Sequence, residues 1–275
     1  MLQVLQAVDW AWTITACLLV AWLLLRWVRA GRRDPLSSAP VRPNRLHDEA
    51  VLVPVAAYLI AAGLLTALVQ WRWGTTDVPL AGLVIGNGAQ LAGLFACLAI
   101  ASARFDGGVR SFLLGPRRGH NVWPRPTLIT AIIAIAFCPL IGEWTIHAVH
   151  LVAPGYEFPT HPTMTALRSG DQPTWLVAAL WIGAVVIAPA AEECFFRGLL
   201  QTYFANVFRG RWAAILTASV AFGLVHISQP HALVALTFLA ILLGCLYERT
   251  GSILPAIAVH AMFNLKTLVW DAVGT

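Results

Sequence analysis

The chain has 275 residues, of which 59% are apolar and only 11% charged, whereas a soluble globular domain carries about 25% charged residues. With a mean hydropathy of +0.73 and repeated apolar runs of about 20 residues, the span of a hydrocarbon core, this composition excludes an ordinary soluble enzyme. The net charge of +5 does not point to nucleic acid, because the basic residues sit in short loops between apolar runs and not on one face.

The first apolar run has no Lys or Arg before it and Arg26, Arg29, Arg32 and Arg33 after it, so it reads as a retained anchor with its start outside. Further runs follow, and the predicted spans cover 8–28, 50–71, 80–102, 127–153, 174–194, 211–228, 231–248 and 252–271. Lipid cannot satisfy exposed backbone groups, and these runs lack the alternation of barrel strands. The expected fold is therefore all-α, a polytopic transmembrane helical bundle of about eight membrane-spanning helices.

Counted from an outside N-terminus, the inner side receives Arg26, Arg29, Arg32, Arg33, Arg42, Arg45, Arg104, Arg110, Arg117, Arg118, Arg125, Arg197, Arg209, Arg211 and Arg249. The outer side receives Arg72, Arg168 and Lys266. That asymmetry sets the orientation and also puts the C-terminus outside. Arg supplies 17 of the 18 basic residues, which points to a multi-pass protein of a prokaryotic plasma membrane. The Arg- and Pro-rich segment 29–49 reads as an extended, solvated connection, and Pro154, Gly155, Pro159 and Pro162 mark an outer loop. The five cysteines, Cys17, Cys97, Cys138, Cys194 and Cys245, lie in apolar stretches with no metal-type spacing, and their odd number implies no disulfide framework.

Ionisable groups inside a span need a reason, and the informative ones fall in the last hundred residues or so. Three patterns stand out there: Glu192-Glu193-x-x-x-Arg197, Phe222-x-x-x-His226 and His260-x-x-x-Asn264. Residues four apart share a helix face, so Glu193 is predicted to pair with Arg197. Glu192 then points about 100° away, into the bundle, where it can act as general base toward a water. His260 shares a stripe with Asn264, and Phe222 shares one with His226, for which ordinary packing is the expected role of the phenyl ring. Opposed helices around Gly210 put Glu193 and His226 at similar depth. Counted from Gly251, His260 falls about 10 Å nearer the inner face, a gap that a tilted helix or an interfacial segment around 198–209 would have to close.

These patterns, in this order and each on an apolar helix, resemble the CAAX-protease and bacteriocin-processing family of intramembrane proteases, also called the Abi or type II CAAX prenyl endopeptidase family. The stretch Tyr247-Glu248-Arg249-Thr250-Gly251-Ser252-Ile253 leading to His260 is similar to that family too. The resemblance covers about 174–271. It implies a division into 1–173, four spans of unassigned role, and 174–275, a catalytic core of about four spans. It further implies an integral membrane endopeptidase in which Glu192 and His226 activate a water, His260 and Asn264 stabilise the oxyanion, and Glu193 with Arg197 completes the site. The implied partners are a peptide or membrane-protein substrate and the lipid bilayer, with the oligomeric state open.

Family members are often called metalloproteases, and Glu192, His226 and His260 would make a two-His, one-carboxylate site for a divalent metal such as zinc. A metal-free reading, in which Glu and His share the proton work, explains the same residues, and no His-Glu-x-x-His segment occurs. Two other classes stay open at this stage: a proton-coupled membrane transporter, and a non-proteolytic regulatory member of the same family. A second set, Glu143, His147 and His150, falls on one face of the fourth span and is expected to be structural or hydrated.

Overall fold

Apolar runs without internal charge form long helices because each helix satisfies its own backbone in lipid. The computed structural model of the protein, which describes residues 2–31, 33–40, 44–76, 79–115, 124–160 and 162–274, is such a bundle. In chain order the helices are α1 (Leu2–Arg29), α2 (Val53–Trp73), α3 (Pro79–Arg104), the short α4 (Gly108–Leu114), α5 (Pro124–Val152) and the short α6 (Pro162–Arg168). They are followed by α7 (Thr174–Ile182), α8 (Ala188–Glu193), α9 (Thr202–Phe208), α10 (Arg211–Val225), α11 (Pro230–Thr250) and α12 (Leu254–Gly274). Among the described residues the only β pairing is an isolated bridge between Asn44 and Phe105. Arg32, Arg42, Arg117 and Arg118 lie outside the described residues.

Among the described residues six helical stretches are long and apolar enough to cross a bilayer, and the protein is a multi-pass membrane protein. The two remaining expected spans correspond to α10, which has 15 residues, and α12, which has 21 residues but carries Lys266 and Asp271. The lipid-facing surface carries exposed Trp71, Trp144, Leu151 and Val152, as it must where the solvent is hydrocarbon. Between helices the contacts use small residues, with Ala131, Ala134 and Cys138 of α5 against Ala235, Leu239 and Leu243 of α11, which lets backbones approach closely.

Two expectations change here. The span predicted to end near 194 instead continues as one helix from Thr174 to Phe208, so 198–209 is not a separate interfacial segment. The helix is held open by two π-type stretches, Gly183–Ile187 and Cys194–Gln201. The first has a readable cause. Pro189 has no N–H, and its ring displaces the carbonyl one turn back, so the helix widens just before it.

The segment 29–49 is also more than a solvated connection. Leu36 and Leu46 are buried. Arg211 donates to the carbonyls of Leu36 (2.9 Å) and Ala39 (3.1 Å), while Asn206 donates to Asn44 Oδ1 (2.8 Å) and to the Leu46 carbonyl (2.7 Å). The segment is a strap across the ends of α9 and α10, because carbonyls of an irregular chain need donors once they leave water.

Candidate active site

The two adjacent carboxylates are set on α8, between the π stretches, and helix geometry splits their directions. Glu193 is fully buried; its Oε1 accepts from Arg197 Nη1 at 2.9 Å and from His260 Nδ1 at 2.8 Å. Glu192 keeps 22% of its side chain exposed, with Oε2 3.9 Å from Nε2 of His260. One imidazole is thus held between two carboxylates. Because Oε1 of Glu193 already accepts from a guanidinium, the hydrogen of the His260 bond sits on Nδ1, and Nε2 is the atom turned toward Glu192.

Arg197 makes the predicted pair with Glu193 and, although also counted among the inner-side charges, is a buried member of this group. Its guanidinium carbon lies 4.7 Å from the centroid of the Phe222 ring, and its Nη2 has no hydrogen-bond partner. A cation removed from water needs its ion pair and the π face together. Phe222 is fully buried and is the hub of the site. Its ring stands 5.0 Å from Phe196, 4.8 Å from His226 and 5.8 Å from His260 between centroids. The packing role expected of Phe222 is what the structure shows.

His260 reaches this level because the turn before α12 is sunk into the bundle. Ser252 Oγ donates to the Leu113 carbonyl at 2.7 Å, and the Ile253 N–H donates to the same oxygen at 3.1 Å. Gly251, Ser252 and Ile253 are all buried over α4, so α12 starts well inside the bundle and the depth mismatch expected from counting residues does not arise. Close passage below the site also requires Gly198, where a Cβ would stand 2.3 Å from Phe112 Cζ.

Asn264 lies one turn beyond His260, and its Nδ2 donates to the Ala184 carbonyl at 2.8 Å. That carbonyl is open for a definite reason. The Ala188 N–H, its ordinary helical donor, bonds Gly183 instead, and the next candidate, residue 189, is proline. The amide of Asn264 fills the vacancy and ties α12 to α7 and α8. On the other flank Asn87 of α3 packs on Gly183, where a Cβ would meet its amide atoms at 2.7 Å.

His226 caps α10, with Nδ1 donating to the Phe222 carbonyl at 2.8 Å, which leaves Nε2 as the atom available for proton transfer. The expected convergence of Glu192, His226 and His260 is therefore partial: Glu192 and His260 face each other, and His226 stands beside Phe222. Among the described residues no three His, Cys, Asp or Glu side chains form a group that could hold a metal ion. Glu192, His226 and His260 are not among any such group as the side chains stand.

The second set is not brought to the site. Glu143 and His147 are exposed, and His150 Nε2 donates to the Tyr156 carbonyl at 3.1 Å. Counting charges along the chain overlooked a brace beneath the site. Buried Glu248 accepts from Gln201 Nε2 at 2.9 Å and lies 3.8 Å from Arg211 Nε, and the Tyr247 hydroxyl is hydrogen-bonded to Thr202 at 3.2 Å. The signal was present in the sequence, since Glu248 is an acid within an apolar span.

Comparison with curated proteins gives no match, and comparison with solved structures gives none. The three patterns lie together within one matched stretch: residues 173–266 match the family model described as Type II CAAX prenyl endopeptidase Rce1-like, the family that these patterns resemble.

Proposed function

We propose that the protein is an integral membrane endopeptidase that hydrolyses a peptide bond at or within the membrane with an activated water. The observation that carries the reading is the division of labour between the two carboxylates. Glu193 is neutralised by Arg197 and His260, while Glu192 is partly exposed and faces Nε2 of His260 across 3.9 Å. Glu192 takes the proton of a water on its open side, and His226 Nε2 assists from beside Phe222. The attacking oxygen adds to the scissile carbonyl, and the developing oxyanion accepts from protonated His260 Nε2, whose positive charge the buried Glu193 supports. Asn264 gives one amide hydrogen to Ala184 and keeps its second for the same oxyanion. The proton held by Glu192 then passes to the leaving amine as the tetrahedral intermediate collapses.

This scheme uses only groups of the chain. The substrate we assign is a peptide or the tail of a membrane protein, reached from the bilayer of a prokaryotic plasma membrane, with the N-terminus outside as the basic loops direct.

The test is turnover of quenched fluorogenic peptides, with and without a prenylated C-terminus, by the full chain in detergent micelles. Wild type is expected to cleave at least one of them, and Glu192→Gln, His226→Ala and His260→Ala are expected to melt as folded proteins and to cleave none. Wild-type turnover in all three would overturn the assignment. Retention of activity after chelation supports the metal-free scheme, and a chelator loss restored by a divalent ion would overturn that part.

A further inference from the structure

The chain has one lysine, Lys266, and it lies on α12, less than two turns beyond His260. Its Nζ is 2.8 Å from Asp9 Oδ1 of α1, with the lysine side chain 10% and the aspartate side chain 40% exposed. Trp270 Nε1 donates to Asp9 Oδ2 at 2.8 Å, and the ammonium lies 4.9 Å from the centroid of the Trp270 ring. A lysine this largely buried on an apolar helix calls for a reason, because an apolar residue would pack there at lower cost.

The surroundings say what the pair does. The face of α12 away from His260 is not fully packed by a helix. It borders a groove of about 760 Å³ between α1, α5 and α12, lined by residues such as Trp12, Leu128, Ala258 and Met262. The opposite face of α12 is tied by His260 to Glu193 and by Asn264 to Ala184, whereas the apolar residues lining the groove offer this face no polar tie of their own. Towards its C-terminal end the helix is tied by Lys266 and Trp270 to α1, and at Asp271 by a two-pronged pair with Arg168 of the short α6, whose arginine is half-exposed.

We propose that Asp9 is a positioning residue for the hydrolytic site: through Lys266 and Trp270 it holds α12 at the depth and rotation that put His260 between Glu192 and Glu193. The inference rests on the reading of His260 as part of that site. It gives α1, which lies outside the matched residues 173–266, a role in the chemistry without touching substrate.

The test uses the full chain with Asp9→Asn, Lys266→Met and the exchanged pair Asp9→Lys/Lys266→Asp. With the same fluorogenic peptides, each single variant is expected to lose about 10- to 100-fold in kcat, the scale of a site misplaced by about an ångström, with KM within about twofold. The exchanged pair is expected to recover most of the loss. The ¹⁵N-imidazole resonances, with His260 assigned by its disappearance in His260→Ala, give a readout that needs no turnover. The His260 signals are expected to move in the single variants and return in the exchanged pair, while those of exposed His147 stay fixed. Should Asp9→Asn fail to accumulate, Trp270→Phe removes the Nε1 donor together with part of the ring beside Lys266 and is expected to shift His260 in the same direction by less. Wild-type kcat with unmoved His260 signals, or an exchanged pair no better than the single variants, would overturn the proposal. A wild type that cleaves no peptide would count against the protease reading alone, since the resonances still decide the positioning.

Discussion

Two buried carboxylates, Glu193 and Glu248, stand in similar company and differ in consequence. Each has an amide or imidazole N–H and an arginine near it: Arg197 and His260 for Glu193, Arg211 and Gln201 for Glu248. Burial makes both expensive unless paired. The difference is what the partner other than arginine touches next. Gln201 leads to more helix, with Nε2 3.3 Å from the Gly244 carbonyl, whereas His260 leads to Glu192, a carboxylate with an open side. The same solution to burying an acid therefore makes a brace in one place and, in the proposed site, a pair facing an open carboxylate in the other.

That contrast is broken most severely at Glu192. Glu192→Gln should lower peptide turnover about 10²- to 10⁴-fold, the usual contribution of a positioned base, and leave the melting curve near that of wild type, because this side chain is the least buried member of the group. Glu248→Gln should do the reverse, lowering the melting temperature while the folded fraction keeps its turnover. The two measurements, made on the same samples, distinguish site from brace.

Next in size is Arg197→Met. It leaves Glu193 buried with one partner fewer, and breaking a buried pair from one side costs about 3–5 kcal/mol. Arg211→Met removes charge-assisted bonds from a half-buried side chain and should cost about 1–3 kcal/mol. Chemical unfolding in mixed micelles measures both, and an Arg197 variant no less stable than the Arg211 variant would undo the distinction between the two sites.

The class of fold and the site-bearing patterns were legible because they depend on spacing. Hydrophobic runs name the helices, and the i, i+4 rule pairs Glu193 with Arg197 without any tertiary knowledge. What stayed hidden depends on backbone irregularity or on contacts between distant segments. Counting residues from Gly251 assumed a turn at the membrane surface, and Ser252 bonded to Leu113 shows it sunk over α4. Arg197 was counted with the loops because its helix was expected to end before it, whereas two π stretches carry that helix to Phe208. Asp9 drew no attention, since its partner lies at the other end of the chain.

The finest distinction concerns Pro189, whose effect is exerted through an absent hydrogen. With proline at 189 the Ala184 carbonyl has no donor within its own helix, and Asn264 supplies one from α12. Pro189→Ala restores an N–H that can satisfy Ala184 locally, and the Asn264 amide then loses its exclusive anchor. Melting should stay level or rise, because a proline inside a helix is unfavourable. Turnover should fall by about tenfold as Asn264 samples orientations away from the oxyanion. Glu143→Gln, on an exposed face remote from this tie, should change neither quantity. If Pro189→Ala keeps full turnover, the amide of Asn264 is held by something other than the vacancy, and the link from helix irregularity to catalysis is lost while the Glu192 and Arg197 predictions stand.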